Sequence, residues 1–147
     1  MGATNAIRSG RGSRLLSGIP IESVWRRAAA LPVSASAGQA LALRLSGEGG
    51  TAVVIEDHTG RAIGLLDDEA LRAIPEQSLD TVSVTSAMQQ QPDGWVAEAT
   101  GGQSIAAVVI VMQQLGIGAV PVRGPDGRIA GIVLAGDLEV ALSRRRS

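Results

Sequence analysis

The sequence contains no cysteine, lysine, phenylalanine or tyrosine, and its only aromatic residues are Trp25 and Trp95. Without cysteine, the chain has no disulfide framework, no thiolate nucleophile and no cysteine-based zinc site. With so few aromatic residues, the interior must be built from valine, isoleucine, leucine and alanine, which favours α/β packing. The composition therefore excludes cysteine-dependent enzymes and predicts a mixed core of strands and helices.

The chain also lacks a charge imbalance and a long apolar run. Its net charge is −1 over 147 residues, so no overall positive field attracts nucleic acid or a membrane. The longest unbroken apolar run, Ile105 to Met112, has eight residues, whereas a membrane-spanning helix needs about 20. The N-terminus shows no secretory signal. We therefore expect a cytoplasmic protein with no nucleic-acid partner and no direct membrane span.

Both ends of the chain are basic. Residues 1–18 are rich in glycine, serine and arginine without apolar periodicity, which predicts a flexible basic leader. Residues 144–147 contain three consecutive arginines, for which we predict a solvated basic tail. The folded part is expected between these segments.

An internal repeat organises this folded part. Sliding the chain along itself until Gly49 meets Gly116 aligns Gly49–Leu71 with Gly116–Leu138, and seven of the 23 aligned positions are identical. Chance gives about one or two identities, so the sequence predicts two copies of one structural unit. We name them the first repeat (residues 19–75) and the second repeat (residues 76–143). The identical positions are Gly49/Gly116, Ala52/Ala119, Val53/Val120, Gly60/Gly127, Arg61/Arg128, Gly64/Gly131 and Leu71/Leu138.

The aligned segments predict a hairpin followed by a helix in each repeat. Short apolar stretches bounded by turn residues are typical of buried strands, and a glycine at the end of each turn accommodates a positive φ. The predicted elements are strand Thr51–Ile55, turn Asp57–Gly60, strand Ala62–Leu66 and helix Asp68–Ala73, then strand Ala119–Val122, turn Gly124–Gly127, strand Ile129–Leu134 and helix Gly136–Arg144.

The repeat also decides the structure of an ambiguous segment. Taken alone, Val108–Val111 favours a strand, because β-branched residues are stiff in helices. At the same offset, however, Ser104–Met112 aligns with Ala37–Leu45, where apolar residues recur at every fourth position. We therefore predict a helix there, ended near Gly116 and buried on two faces because it is apolar all round.

A strand and a short helical lead-in precede each of these helices, so each repeat reads as strand, helix, strand, strand, helix. The spacing of the valines around the lead-in strand gives the second repeat about three extra residues, near Gln89–Gly94. Trp25 and Trp95 are expected to shield the lead-in segments where the two repeats meet.

The segment AVPVRGPDGRIAGIVLAGDL, residues 119–138, resembles the CBS motif, and the first repeat matches that motif more loosely. Two such motifs form a CBS pair, or Bateman module, and the resemblance covers about residues 21 to 143. It implies an α/β (α+β) fold in which two βαββα repeats pack as a pseudo-twofold pair. It also implies a regulatory module without catalytic activity that forms a homodimer through its helices.

A narrower resemblance rests on Ser13–Leu15, Arg26–Arg27, Leu31–Val33 and Glu69–Glu76. These segments are similar to the C-terminal cytosolic CBS pair of bacterial site-2-protease-like intramembrane zinc metalloproteases. The chain itself has no His-Glu-x-x-His motif. This resemblance implies the regulatory part of such a protease, at the cytosolic face of the membrane.

CBS pairs commonly bind adenosine compounds, and their Gly-x-x-(Thr/Ser)-x-x-Asp string supplies a hydroxyl for phosphate and a carboxylate for ribose. The second repeat keeps the carboxylate as Asp137, but a leucine replaces the hydroxyl. Losing one hydrogen bond to a charged group weakens binding by about 1.5–3 kcal/mol. The resemblance therefore implies at most a weak site for ATP, ADP or AMP, with no cofactor required. The candidate ligand residues are Ala119, Val120, Pro121, Gly131, Leu134 and Asp137.

In the first repeat the string begins at Gly64, with Asp67 in place of the hydroxyl and Ala70 in place of the carboxylate. Because an acid repels phosphate, we predict no nucleotide site there.

Simpler roles stay open for the polar residues. Asp137 suits the first turn of a helix, where the dipole favours negative charge, and Asp67–Glu69 suits a helix N-cap. His58 suits a solvated turn. Thr100–Gly102 suits either an anion-binding loop or a flexible one.

Two functional hypotheses stay open. The first is a CBS pair that dimerises and controls an attached protein, and the alternative is an adenine-nucleotide sensor with one weak site in the second repeat. A free-standing enzyme is not supported, because the sequence shows no nucleophile–base pair, no metal-ligand cluster and a single histidine.

Overall fold

The computed structural model describes residues 21–98 and 105–146, so the predicted leader and the Thr100–Gly102 loop lie outside the described residues. Seven strands and four α-helices within them confirm the α/β class. In chain order they are β1 (Trp25–Pro32), α1 (Ala37–Arg44), β2 (Ala52–Glu56), β3 (Ala62–Leu66), α2 (Asp68–Arg72), β4 (Met88–Gln90), β5 (Ala97–Glu98), α3 (Ala106–Leu115), β6 (Ala119–Arg123), β7 (Ile129–Leu134) and α4 (Ala135–Arg146). Single-turn 3₁₀-helices lie at Ile21–Ser23, Glu76–Ser78 and Val84–Ala87.

The strands form one sheet in the order β4-β3-β2-β1-β7-β6-β5. Both predicted hairpins, β2–β3 and β6–β7, are present, and each has a parallel strand beside it, β1 next to β2 and β5 next to β6. The N-terminal half of β1 also pairs antiparallel with β7, and β4 pairs in the same way with β3. Since β4 and β5 are joined by residues 91–96 alone, the two ends of this strand order are close in the chain and the sheet curls.

The registers confirm the repeat and its insertion. Near the start of the lead-in strand, Arg27 pairs with Gly131 and Gln90 pairs with the equivalent Gly64, so Arg27 and Gln90 occupy equivalent positions in the sheet. Near its end, Leu31 and Ala97 occupy equivalent positions, and this pair is three residues further apart in the chain than the first pair. The difference is the predicted insertion. It divides the lead-in strand of the second repeat into β4 and β5, while β1 stays continuous.

The two hairpin turns also form as predicted. Gly60 and Gly127 have φ values of 86° and 80°, a region that suits glycine. In each turn an aspartate accepts a hydrogen bond from the amide two residues later, Asp57 from Thr59 and Asp126 from Arg128. The hydroxyl of Thr59 also donates to Asp57, and this hydrogen bond lowers the pKa of that carboxyl. Local turn chemistry therefore fixes both hairpins.

The ambiguous apolar segment is a helix, α3, and it ends as predicted at Gly116, which has a φ of 65°. The expected burial on two faces is wrong for the single chain. Val108 and Met112 face the core, but Ile110 is 52% exposed. The last helix, α4, ends at Arg146, two residues beyond the predicted end near Arg144. Within the described residues, no helix is long and apolar enough to cross a membrane.

The lead-ins are exchanged between the repeats. Ile21 and Val24 pack in the core of the second repeat, whereas Val84 and Ala87 pack against the helices and strands of the first. A central cluster, which includes Trp95, joins both hairpins. The boundary between the repeats at residues 75 and 76 stays a prediction, because each folded half of the molecule includes the lead-in segment of the other repeat.

Candidate functional site

A cleft of about 180 Å³ lies where the two repeats meet. Its floor is apolar and comes from both hairpins, and its rim carries three arginines. The floor includes Leu65 and Leu66 of the first repeat with Ile132 and Leu134 of the second, and the rim residues are Arg26, Arg27 and Arg44. This combination of apolar floor and cationic rim suits an anionic ligand with an apolar part.

Local structure brings two of the rim arginines together. Arg44 lies in the last turn of α1 and forms two hydrogen bonds with Asp68, of 3.1 and 3.3 Å. The following loop contains Gly47 and Gly50, both with positive φ. A Cβ atom on Gly47 would collide with the Arg27 guanidinium, and one on Gly50 would collide with that of Arg44. The glycines therefore let both guanidinium groups lie on the loop backbone at the cleft.

Of the six candidate ligand residues, only Leu134 lines this cleft. Ala119 lies opposite it in the β6–β7 register, within the central cluster. Val120 and Pro121 are buried in β6, where Val120 belongs to the core of the second repeat. Gly131 is also buried, and a Cβ atom there would lie 2.5 Å from the ring of Trp25. The structure therefore gives most of these residues packing roles.

Asp137, the sixth candidate, lies in the first turn of α4, and its carboxylate is bound by the chain's own Arg26. The guanidinium donates from Nε to Oδ2 at 2.7 Å and from Nη2 to Oδ1 at 2.9 Å. This hydrogen bonding lowers the pKa of Asp137 and raises that of Arg26. Both oxygens that a ribose would need are thus engaged by Arg26.

The Arg26–Asp137 pair predicts a small acid-dependent loss of stability. Because the pKa of Asp137 is lowered on folding, the pair stabilises the chain above the unfolded carboxyl pKa, about 4, and this contribution disappears as pH falls through the folded value. Arg26 is 63% exposed, so solvent screening limits the contribution to about 0.5–1 kcal/mol.

We expect urea unfolding at pH 7 and pH 3 to show a smaller pH effect for Asp137→Asn than for the unmodified chain. Glu139→Gln, which removes an exposed acid from the same helix, is the matched control and should keep the original pH effect. Equal pH effects in Asp137→Asn and the unmodified chain would contradict the ion pair's role.

The equivalent string in the first repeat has a different geometry. Asp67 is the N-cap of α2, as one reading of the sequence predicted, and accepts hydrogen bonds from the amides of Glu69 and Ala70. The acid that lines the cleft is Asp68, which is paired with Arg44. Asp67 itself does not line the cleft, so its carboxylate is not placed to repel a phosphate group there.

The sequence patterns do not predict a role at the cleft for the three rim arginines. Arg26 and Arg27 reach the cleft because β1 pairs with β7 of the other repeat, a long-range register that no local pattern contains. For Arg44, the glycines that follow it at 47, 49 and 50 were a usable signal. Among the described residues, no group of three or more His, Asp or Glu side chains is placed to hold a metal ion.

A second concave surface lies on the helices. A groove of about 640 Å³ between α1, α2 and the Glu76–Ser78 turn is lined mainly by apolar side chains. Leu45 at its edge is 69% exposed. Ile110 on α3 and Val140 on α4 are each 52% exposed, so two helices of the second repeat also present apolar side chains to solvent.

No protein-family profile matches the chain, and no curated protein matches it. Several solved structures are similar to the chain. The CBS domain of the bacterial CNNM/CorC family Mg²⁺ transporter in complex with ATP has a TM-score of 0.58 and 14% identity, over 95% of this chain and 97% of that one. A CBS domain pair/ACT domain protein from Thermotoga maritima has a TM-score of 0.54 and 19% identity, over 88% and 100%. A conserved CBS domain protein from Thermoplasma acidophilum has a TM-score of 0.54 and 20% identity, over 86% and 71%.

The chain spans less of other matched structures, 60% of a protein from Methanocaldococcus jannaschii and 26% of a GMP reductase from Trypanosoma brucei. At these identities the likenesses show the fold alone. They confirm the predicted fold, because the chain shares with these CBS-domain structures an arrangement of two βαββα repeats.

Proposed function

We propose that this chain is a non-catalytic regulatory CBS-pair module of the cytoplasm, which dimerises through the outer faces of its helices and controls an attached protein. The observation that carries the proposal is a set of exposed apolar side chains: Leu45 at the C-terminal end of α1, Ile110 on α3 and Val140 on α4. Arg26 already binds both carboxylate oxygens of Asp137, which favours assembly over ligand sensing as the main role.

Helix α3 gives the strongest support for assembly. Its sequence is apolar from Ala106 to Met112, and most of these side chains are buried or partly buried within the chain, yet Ile110 is exposed. A helix that is apolar all round is stable when both faces are covered. A second copy that covers Ile110 removes this apolar surface from water at about 25 cal/mol per Å².

Sedimentation equilibrium tests this proposal. One chain has a mass of 15.0 kDa, so we expect a species of twice that mass at tens of micromolar. The double variant Ile110→Glu/Val140→Glu should shift the mass to that of one chain, because it buries charges in the interface. His58→Glu, which adds an acid in an exposed turn, is the control. A single-chain mass for the unmodified protein would contradict dimerisation.

The alternative function is an adenine-nucleotide sensor. Its support is the arginine rim and apolar floor of the cleft, together with the fold shared with a CBS domain solved in complex with ATP. Against it stand Leu134 in place of a hydroxyl and the Arg26–Asp137 pair. We therefore expect calorimetric titration with ATP, ADP and AMP to show no binding tighter than about 100 μM.

Two variants make this titration decisive. Low-micromolar binding that Asp137→Ala abolishes would contradict our preference and assign the ligand to the string of the second repeat. Low-micromolar binding that Arg44→Gln abolishes, with Asp137→Ala unchanged, would instead assign it to the first-repeat side of the cleft. Binding weaker than about 100 μM in all three chains agrees with the proposal.

We further propose that the attached protein is a site-2-protease-like intramembrane zinc metalloprotease. The support is the sequence resemblance around Arg26–Arg27, Leu31–Val33 and Glu69–Glu76. Sequencing the flanking genomic region tests it. We expect a His-Glu-x-x-His motif between membrane-spanning segments in the same or the adjacent reading frame, and a neighbourhood without such a motif would contradict this parentage.

A further inference from the structure

Glu56 and Arg123 occupy equivalent positions in the two repeats. Glu56 is the last residue of β2 and Arg123 is the last residue of β6. Each directly follows a shift in the register of its hairpin. Each also lies opposite the last residue of the parallel strand beside it, Pro32 of β1 or Glu98 of β5. The two residues therefore have equivalent positions in the strand pairing, although their charges are opposite.

These equivalent residues contact each other. Nη2 of Arg123 lies 3.0 Å from Oε2 of Glu56, and each side chain is 21% exposed. The same guanidinium donates to the carbonyl oxygen of Gly127 at 2.8 Å and to that of Gly60 at 3.0 Å. Gly60 and Gly127 are themselves equivalent, at the ends of the two hairpin turns. Arg123 thus binds its own equivalent residue and the turns of both repeats, which places this cluster on the pseudo-twofold axis.

The other ion pairs among the described residues do not join equivalent positions. They are Arg26–Asp137, Arg44–Asp68 and Arg61–Asp93. A residue on a twofold axis meets its own copy when two identical units pair. Two first repeats paired in this way would bring two Glu56 carboxylates together, and two second repeats would bring two Arg123 guanidinium groups together.

We infer that Glu56 and Arg123 form a charge pair that selects pairing of the first repeat with the second and rejects pairing of either repeat with a second copy of itself. Specificity of this kind needs a repulsive element against the wrong partner, and like charges in a half-buried contact supply it. Pairing of identical repeats between chains is the competing arrangement, because both repeats share one backbone.

Charge reversals in the full chain reproduce the rejected contacts. Arg123→Glu places Glu opposite Glu56, and Glu56→Arg places Arg opposite Arg123. We expect each reversal to lower Tm by about 5–10 °C at low salt, and the neutral variants Glu56→Gln and Arg123→Gln to lower it by about half as much. The double reversal Glu56→Arg/Arg123→Glu should return Tm to within about 2 °C, because the pseudo-twofold axis brings an arginine at position 56 to the same two turn carbonyls.

Glu139→Arg, a reversal at an exposed position of α4 away from this cluster, is the control and should leave Tm within about 1 °C. Two results would overturn the inference. One is a reversal no more destabilising than its neutral variant, since the position would then not reject like charge. The other is a double reversal that is as unstable as the sum of the single reversals. If a single reversal does not fold, recovery in the double reversal decides the question.

Discussion

Replacing Gly131 by alanine is expected to lower the free energy of unfolding by about 2 kcal/mol. Gly131 is buried in β7, and a Cβ atom on it would lie 2.5 to 2.8 Å from three ring atoms of Trp25. The indole is rigid, and β1 holds it in register with Val133. The clash is therefore relieved only by moving a strand of the other repeat. Urea unfolding followed by far-UV circular dichroism measures the change.

Two further variants separate this clash from a general effect of alanine. Gly136→Ala lies in α4 with no atom within 4 Å of its Cβ, so we expect a gain of up to about 1 kcal/mol from helix propensity. In Trp25→Ala, adding Gly131→Ala should cost less than in the unmodified chain, because the ring is absent. An equal cost in both backgrounds would contradict the contact between Gly131 and Trp25.

Replacing Trp95 by alanine is expected to cost about 3–5 kcal/mol, a larger loss than that of Gly131→Ala. Trp95 is 1% exposed and packs between the two hairpins in the central cluster. Its indole nitrogen donates to the carbonyl oxygen of Ala62 at 3.0 Å. The variant leaves a cavity and removes the indole donor from a buried carbonyl. Differential scanning calorimetry should show a Tm lower by about 10 °C or more.

Trp95→Phe divides this loss into its parts. It keeps most of the ring volume but removes the hydrogen bond, so we expect about 1–2 kcal/mol. Trp25→Phe keeps Trp95 as the only tryptophan, and its fluorescence should show the blue-shifted emission of a buried indole. Solvent-like emission from that variant, or a Trp95→Ala chain as stable as the unmodified one, would contradict the central position of Trp95.

The sequence was sufficient for the elements that depend on local chemistry. The turns at Gly60 and Gly127, the N-cap at Asp67 and the end of α3 at Gly116 each follow from residues within a few positions of one another. Periodicity alone does not assign Val108–Val111, because a short apolar run fits a strand or a helix equally well. The alignment with the first repeat assigns this segment to a helix. Comparing the two repeats therefore decided both the fold class and the helix.

The exchange of lead-ins could not be predicted, because it depends on pairing between distant segments. The register of β1 with β7 carries Arg26 across to Asp137, which is 111 residues further along the chain. The Gly-x-x-(Thr/Ser)-x-x-Asp string of the second repeat identifies the Asp137 carboxylate. It does not identify the Arg26 guanidinium that binds this carboxylate. For the same reason, the string does not reveal that Gly131 packs against the ring of Trp25.

We expect the two repeats to unfold as one cooperative body, because Trp25 packs against the core of the second repeat and Trp95 packs in the central cluster that joins both hairpins. Urea unfolding of the unmodified chain, followed by tryptophan fluorescence and by far-UV circular dichroism in the same samples, tests it most directly. We predict one transition with coincident midpoints, because separating the repeats exposes the shared core that both need. A fluorescence transition well before the loss of helix signal would show that the repeats part while each stays folded, and would contradict the claim.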